Sequence, residues 1–449
     1  MYRFPDDFIF GAATASYQIE GAYNEDGKSE SIWDRFTHTG KSFNKETGDI
    51  ACDHYHRIDE DVEMMAGLGL EAYRFSIAWP RIMPDGKGPV NKKGLDFYDR
   101  LIDKLLKKNI KPFVTLYHWD LPQKLEDKGG WRAKDTCYYF ADYARETVKH
   151  FSDRVSNWIT FNETWCSSVL GYETGEHAPG VKESPKTVNQ VIHNLYLAHG
   201  LGVRTVRECG KKGSEVGLAL CYPGNAVIPI TETPENLNAA DKAFMDHNKW
   251  WLDPLYKGEY PKDQWEFKGK DVPEITADEM KIISSPTDFL GVNIYHATLI
   301  EADNNPGSPG YKLIQRPDNS EKTTMNWPID ARSIYYLLKF TQKNYPAKKF
   351  YVTENGASFN DEISPDGKVH DPKRISFLHD YILSCKRTID DGINLKGYFL
   401  WSLMDNFEWQ HATSKRFGIT YIDYKNNCKR ILKDSALWYK ETIQARGVK

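Results

Sequence analysis

The chain lacks the features that would assign it to a membrane, secreted or nucleic-acid-binding class. It has no long apolar run, and no basic segment leads into an apolar stretch near residue 1, so we predict neither a membrane span nor a signal peptide. Basic residues form no cluster and the formal net charge is −4, which argues against nucleic-acid binding. We expect a cytoplasmic protein without a membrane or nucleic-acid partner.

Cysteine and metal-binding patterns are also sparse. The seven cysteines are odd in number, and no two have the spacing of a metal or redox motif, which is typical of a reducing compartment. Cys166 has no sequence neighbour that suggests chemistry, and we interpret it as structural. The sequence has neither a phosphate-cradling glycine loop nor HExxH, and His54 and His56 do not share a helix face. We expect no metal and no cofactor.

Two segments present a glutamate at the end of an apolar run. In FYVTENG (350–356), three aromatic or β-branched residues suit a buried strand and precede Glu354. WITFNE (158–163) repeats this design and ends on Glu163. A carboxylate at the end of a buried strand is poorly solvated, so it is paired or serves chemistry. Our hypothesis is that the two glutamates face each other across one site.

Short apolar runs alternate with helical periodicity along the whole sequence. The runs predict eight strands, at 8–15, 72–79, 112–118, 155–163, 216–221, 288–295, 350–356 and 397–403. Helices are predicted between them, including 58–65, 95–105, 135–150, 188–208, 236–252, 330–343, 372–382 and 433–445, with Asp135 and Asp371 as caps.

Eight strands that are each followed by a helix predict an α/β fold, a (β/α)8 (TIM) barrel. A length of 449 residues alone would suggest two or three domains, but no segment resembles a linker. We therefore predict one catalytic domain over 1–449, with long loops at the carboxyl ends of the strands. The 300–328 segment is predicted to be an ordered part of that rim.

Polar and aromatic residues are concentrated where the predicted strands end, the edge at which barrel active sites lie. They are Gln18, Arg74, His118, Trp119, Asn162, Glu163, Asn293, Tyr295, Glu354, Trp401, Glu408 and Trp409. Indole rings stack on the C–H faces of sugars, and the polar groups pair with sugar hydroxyls. Because glycosidic cleavage needs two flanking carboxyl groups, this set favours a glycosidase.

Motifs along nearly the whole chain resemble glycoside hydrolase family 1, the β-glucosidase and β-galactosidase family. They are SYQIEGAYNEDGKSESIWD (16–34), ACDHYHR (51–57), YRFSIAWPRI (73–82), LYHWDLPQ (116–123), TFNE (160–163), HAPG (177–180), YVTENG (351–356), WSLMDNFEW (401–409) and SKRFG (414–418). Two departures are Thr164, where the family usually has proline, and QHAT (410–413), where AEGY-like sequences are common.

The resemblance implies a role for each matching residue. Glu354 corresponds to the nucleophile and Glu163 to the acid/base. Arg74, Asn293 and Tyr295 correspond to groups that hold the nucleophile. The substrate-binding positions are Gln18, His118, Trp119, Asn162, Trp327, Trp401, Glu408 and Trp409, with Trp401 as stacking platform and Trp327 as aglycone wall.

We expect a retaining, exo-acting β-glycosidase, in particular a β-glucosidase that cleaves cellobiose, short cello-oligosaccharides and aryl or alkyl β-glucosides. Side activity on β-galactosides and β-fucosides is expected, and the loops 172–188, 222–235 and 300–328 are expected to set the aglycone preference. The partner is a small carbohydrate, and a homo-oligomer is left open. The alternatives are a 6-phospho-β-glycosidase of the same family, which Glu408 and Phe417 disfavour, and an inactive sugar-binding barrel.

Overall fold

The computed structural model describes residues 2–221 and 226–448. Eight parallel strands close into a barrel in chain order. We label them β1 to β8: Ile9–Ala13, Ala72–Ser76, Lys111–Tyr117, Asn157–Asn162, Glu215–Leu220, Phe289–Asn293, Phe350–Asn355 and Leu395–Trp401. Each overlaps its predicted run, so the predicted barrel is confirmed. The strands are buried almost throughout, which explains why they read as continuous apolar runs without alternation.

A long helix follows each barrel strand. The helices α1 to α8 are His54–Leu68, Lys92–Lys107, Asp135–Phe151, Pro185–Cys209, Pro234–Tyr256, Arg332–Asn344, Pro372–Asp390 and Asp434–Ala445. They bury one face, as α2 does with Phe97, Leu101 and Leu105. Among the helices of the described residues, none combines the length and apolar character that a bilayer span requires.

The two predicted helix caps have different outcomes. Lys134 is the N-cap of α3, and Asp135 is its first helical residue, so the prediction for Asp135 is wrong. Asp371 does occupy the N-cap of α7, ahead of Pro372. Its carboxylate does not cap the helix, however, because it accepts hydrogen bonds from Arg374 and Ser435 instead. Local spacing alone does not reveal this competition from distant partners.

Aromatic rings fill the barrel near the beginning of its strands. The ring of Phe113 lies 4.8 Å from that of Phe399 and 5.4 Å from that of Tyr351, and Phe289 packs against Tyr351 at 5.2 Å. Gly11 makes room for this layer, since a Cβ there would lie 2.6 Å from the Phe399 ring. This apolar layer closes the interior of the barrel beneath the carboxyl ends of the strands.

Shorter elements build the rim and tie the chain ends together. Ala226–Pro229, Ala297–Ala302 and Tyr311–Ile314 form a three-stranded sheet, so the loop after β6 is ordered as predicted. Thr420–Asp423 pairs with Lys429–Leu432, and Tyr2–Arg3 pairs with Gly447–Val448. The remaining short helices are Ser16–Ile19, Ile32–His38, Phe43–Lys45, Trp79–Ile82, Gln123–Glu126, Gly130–Arg132, Cys166–Thr174, Lys262–Lys268, Gly269–Asp271, Ala277–Ile283 and Trp409–Ser414.

Candidate active site

A cavity opens at the carboxyl ends of the strands and contains about 1030 Å³ of space, including its open mouth. Ten residues predicted from the sequence line it: His118, Trp119, Glu163, Asn293, Tyr295, Trp327, Glu354, Trp401, Glu408 and Trp409. Gln18, Arg74 and Asn162 are buried directly behind the lining. All thirteen predicted site residues therefore belong to one region of the barrel.

Glu354 lies near the end of β7 between two strong donors. Arg74 Nη1 donates to its Oε1 over 2.6 Å, and the Tyr295 hydroxyl donates to its Oε2 over 2.7 Å. Burial raises the pKa of Glu354 to about 7; Arg74 opposes this shift, and the charge of Glu163 adds to it. The two donors hold the Glu354 carboxylate in a fixed orientation and favour its ionised form.

Glu163 follows β4 and has a backbone φ of 46°, a left-handed conformation that is uncommon outside glycine. Asn293 Nδ2 donates to its Oε1 over 2.7 Å, and the Cys166 thiol donates to its Oε2 over 2.9 Å. An amide and a thiol are weaker donors than the guanidinium and phenol at Glu354. The stronger hydrogen-bond donors of the two carboxyl groups therefore serve Glu354.

The predicted contact of Asn293 with the nucleophile is replaced by a different one. Its amide nitrogen donates to Glu163 and Asn162, and its Oδ1 accepts from Thr353. Asn293 ends β6, beside the strand that carries Glu354, and its side chain reaches across the site. Of the three residues predicted to hold Glu354, only Arg74 and Tyr295 donate to it.

A buried chain of polar groups links Arg74 to the cavity wall. Arg74 Nη2 donates to Asn162 Oδ1 over 2.7 Å, and the Asn162 amide nitrogen lies 3.0 Å from His118 Nε2. Burial, followed by the charge of Arg74, holds the pKa of His118 well below its usual value, so the ring is neutral. With Nε2 accepting from Asn162, the proton of His118 lies on Nδ1.

Three buried polar atoms of the predicted site residues have no hydrogen-bond partner among the described residues: Gln18 Oε1, His118 Nδ1 and Glu408 Oε2. Buried polar atoms in proteins are normally paired, so such a group marks a place where a ligand supplies the missing partners. Burial raises the pKa of Glu408 to about 8, and the charges of Glu354 and Glu163 add to this shift. The three atoms suit a ligand rich in hydroxyl groups.

Aromatic rings form the walls of the cavity. His118 is parallel to Trp401 and Trp409 with ring centroids 6.0 Å and 5.9 Å away, and Trp119 packs 4.3 Å from Trp409. The Trp119 indole donates to the Asn162 carbonyl, so its N–H is not free for a ligand. Trp327 lies at the mouth, 5.2 Å from both Tyr295 and His296.

The family model for glycosyl hydrolase family 1 matches residues 1–448. The chain belongs to this family and is a glycoside hydrolase. Beta-glucosidase A of Acetivibrio thermocellus is 46% identical to this hydrolase, with 99% of each chain covered. The 1,4-beta-D-glucan glucohydrolase of Thermotoga neapolitana is 46% identical with full coverage of both. The solved family 1 β-glucosidase from Thermotoga maritima matches with a TM-score of 0.91 at 44% identity, over 100% of this chain and 99% of that one.

The hydrolase also has cavity residues that sequence reasoning missed. His177, the first residue of the HAPG motif, is buried in the lining and packs against Trp119 at 5.2 Å. Cys221 lines the cavity directly after β5, so the rule applied to the other strand ends would have found it. Residues 222–225, which begin one of the predicted specificity loops, lie outside the described residues.

One group in this hydrolase also has the composition of a metal site. Glu163, Cys166 and Cys221 each offer a donor atom within 4.8 Å of the others. The interpretation of Cys166 as purely structural is therefore incomplete, because its thiol contacts the Glu163 carboxyl. The distance of 55 residues between the two cysteines explains why spacing did not indicate the group.

Proposed function

We propose that this hydrolase removes terminal non-reducing β-D-glucosyl residues from cellobiose, short cello-oligosaccharides and aryl or alkyl β-glucosides, with retention of configuration. One observation carries the assignment of roles. Arg74 and Tyr295 donate hydrogen bonds to Glu354. In the same cavity, Glu163 accepts from the weaker donors Asn293 and Cys166. This asymmetry supports an ionised nucleophile opposite a proton-carrying acid.

In the first half-reaction, Glu354 attacks the anomeric carbon while the bond to the leaving oxygen breaks. Glu163 gives its proton to that oxygen, so the aglycone leaves as a neutral alcohol. The ester formed at Glu354 removes one negative charge from the pair, which favours the ionised form of Glu163. Retention requires carboxyl groups about 5–5.5 Å apart.

In the second half-reaction, Glu163 takes a proton from water, and the water oxygen attacks the anomeric carbon from the side that the aglycone left. The bond to Glu354 breaks, and its carboxylate returns to Arg74 and Tyr295. Two inversions give net retention. Asn162, fixed by Arg74, presents its amide beside the pair, and we assign it the 2-hydroxyl of the sugar.

The recognition of a neutral terminal sugar is supported by the three unpaired polar atoms of Gln18, His118 and Glu408. Together with the Trp401 ring, they provide hydrogen bonds and a stacking surface for one glycosyl unit. A phosphorylated sugar is disfavoured because its negative charge would lie close to the Glu354 carboxylate, and neither lysine nor arginine is among the described residues that line the cavity. Lys415, the nearest candidate cation in the sequence, donates instead to the Thr324 carbonyl. Trp327 is assigned to the aglycone side, where it lies at the mouth of the cavity.

We further propose that 1–449 is one catalytic domain in the cytoplasm that contributes to the breakdown of cellulose fragments. The pairing of Tyr2–Arg3 with Gly447–Val448 supports a single unit, since it joins the two ends of the chain. All seven cysteines are free, which is consistent with a reducing compartment. The relatives named as glucosidases and glucan glucohydrolases support the substrate class.

Trapping of the covalent intermediate tests this function. A 2-deoxy-2-fluoro-β-glucoside with an activated leaving group is expected to add one glycosyl mass to the peptide that contains Glu354. Glu163→Gln is expected to slow substrates with poor leaving groups far more than those with good ones, because only the former need the proton. Labelling of another residue, or equal slowing of both substrates, would contradict the assignment.

A further inference from the structure

Beside the Glu163 carboxyl lies a pair of thiols that glycoside hydrolysis does not use. Cys166 Sγ is 3.9 Å from Cys221 Sγ and donates to Glu163 Oε2 over 2.9 Å. One donor atom from each of the three residues lies within 4.8 Å of the other two. Over 2–221 and 226–448, no other group of three or more His, Cys, Asp and Glu side chains is packed in this way.

We propose that Glu163, Cys166 and Cys221 form a binding site for a thiophilic divalent cation, Zn²⁺ or Cd²⁺, and that an ion bound there blocks hydrolysis.

The separations of the three donor atoms suit tetrahedral coordination. With a Zn–S bond of about 2.3 Å, two thiolate ligands of one ion are about 3.8 Å apart. The observed Sγ–Sγ distance is 3.9 Å. A carboxylate ligand would lie about 3.5 Å from each sulfur, so the 2.9 Å contact between Glu163 Oε2 and Cys166 Sγ has to lengthen by about 0.6 Å.

The same distances disfavour a disulfide as the function of the pair. An S–S bond is about 2.05 Å long, so the sulfur atoms would have to approach each other by about 1.9 Å. Cys166 begins a short helix, and Cys221 directly follows β5. Both elements pack in the core. A cation between the sulfurs requires much less movement than a covalent bond.

The three groups are accessible to an ion from the cavity. All of them line it, and Cys221 is partly exposed. A water molecule from the cavity can complete the coordination as the fourth ligand. Two thiolates and one carboxylate select zinc-like cations over Mg²⁺ and Ca²⁺, which prefer oxygen ligands. Binding replaces the two thiol protons and the proton of Glu163, and all three pass to the buffer.

Occupation of the site removes the carboxyl that assists the leaving group. A Glu163 carboxylate bound to a cation does not carry the proton that the aglycone oxygen needs. The block of hydrolysis thus rests on the proposed role of Glu163, whereas metal binding itself does not. The two parts are measured by separate readouts.

The test is a titration of the reduced, full-length enzyme with CdCl₂. The ultraviolet thiolate-to-cadmium absorption band is followed together with hydrolysis of an aryl β-glucoside. We expect the band to saturate at one ion per chain, activity to fall over the same range, and EDTA to reverse both. Cys166→Ser and Cys221→Ser are each expected to weaken binding by more than about tenfold, the effect that even outer-shell changes have at metal sites.

Two further variants sharpen the result. Cys209→Ser removes a free, half-buried thiol at the end of α4, away from the cavity lining, and should titrate like the wild type. Glu163→Gln should keep the absorption band with weaker affinity. Alanine replaces serine at either cysteine if circular dichroism shows that a serine variant does not fold.

The outcomes are distinguishable. A band that does not saturate at one equivalent, or that persists unchanged in both cysteine variants, overturns the site. A saturating band without loss of activity overturns the block. An enzyme that hydrolyses no β-glucoside before cadmium is added contradicts the proposed function and leaves the metal site to be judged on the absorption alone.

Discussion

Replacing Tyr295 with phenylalanine tests the electrostatics of Glu354 with little change of shape. The Tyr295 hydroxyl donates to Glu354 Oε2 over 2.7 Å. A hydrogen bond to a charged group contributes about 1.5–3 kcal/mol. Because this donor favours the carboxylate form, its loss raises the pKa of Glu354 by about one to two pH units. The carboxylate that attacks the sugar is then lost at a higher pH, so the acidic limb of kcat/KM moves upward by that amount.

The measurement is kcat/KM for an aryl β-glucoside across the acidic and neutral pH range. Tyr143→Phe is the matched control, since it removes a buried hydroxyl that donates to the carbonyls of Ile77 and Leu116 rather than to a carboxylate. Its acidic limb should coincide with that of the wild type. If the limb of Tyr295→Phe also stays in place or moves to lower pH, the hydroxyl does not stabilise the Glu354 anion and the assignment of roles fails.

Three further predictions follow from the contacts of single residues. Asn293→Ala should slow substrates with poor leaving groups more than those with good ones, because Asn293 donates to Glu163; equal slowing in a leaving-group series would place it with the nucleophile. Glu408→Ala should lower kcat/KM for β-glucosides about two- to tenfold through the loss of a neutral hydrogen bond, and an unchanged value in a rate assay would exclude Glu408 from sugar binding. Lys433→Met should lower the free energy of unfolding by about 1.5–3 kcal/mol, because it removes one of the two cations that pair with each of the buried carboxylates Asp361 and Asp405; a urea midpoint within error of the wild type would contradict this.

The barrel was predictable because a local sequence pattern indicates each of its strands. Eight buried strands give eight apolar runs, and no run needs knowledge of its neighbours to be recognised. Helix caps were less predictable, since a cap depends on where the side chain finds its partner. Asp371 occupies the cap position of α7, but its carboxylate binds Arg374 and Ser435, which lies 64 residues away. The sequence around Asp371 does not contain that information.

The active site likewise has a part that the sequence predicts and a part that it does not. Which residues reach the cavity follows from the strand ends, and the thirteen predicted positions do meet there. Which residue touches which carboxyl does not follow, because it depends on side-chain direction across the barrel. Asn293 was predicted to hold Glu354 and contacts Glu163 instead. Cys166 and Cys221 meet only because β4 and β5 are adjacent, a relation that sequence spacing does not express.

The charges around the cavity connect catalysis with the choice of a neutral sugar. Among the described residues that line it are three glutamates, Glu163, Glu354 and Glu408, and neither lysine nor arginine; Arg74 lies behind them and donates to Glu354. Burial raises the pKa of Glu354 and of Glu408, and the neighbouring carboxylates raise both further. The ionised Glu354 carboxylate gives the cavity negative charge, and the carboxyl groups of Glu163 and Glu408 can only add to it. An anionic ligand would meet this charge with neither lysine nor arginine among the described lining residues to offset it. The carboxyl cluster that the proposed mechanism uses therefore also disfavours a phosphorylated sugar.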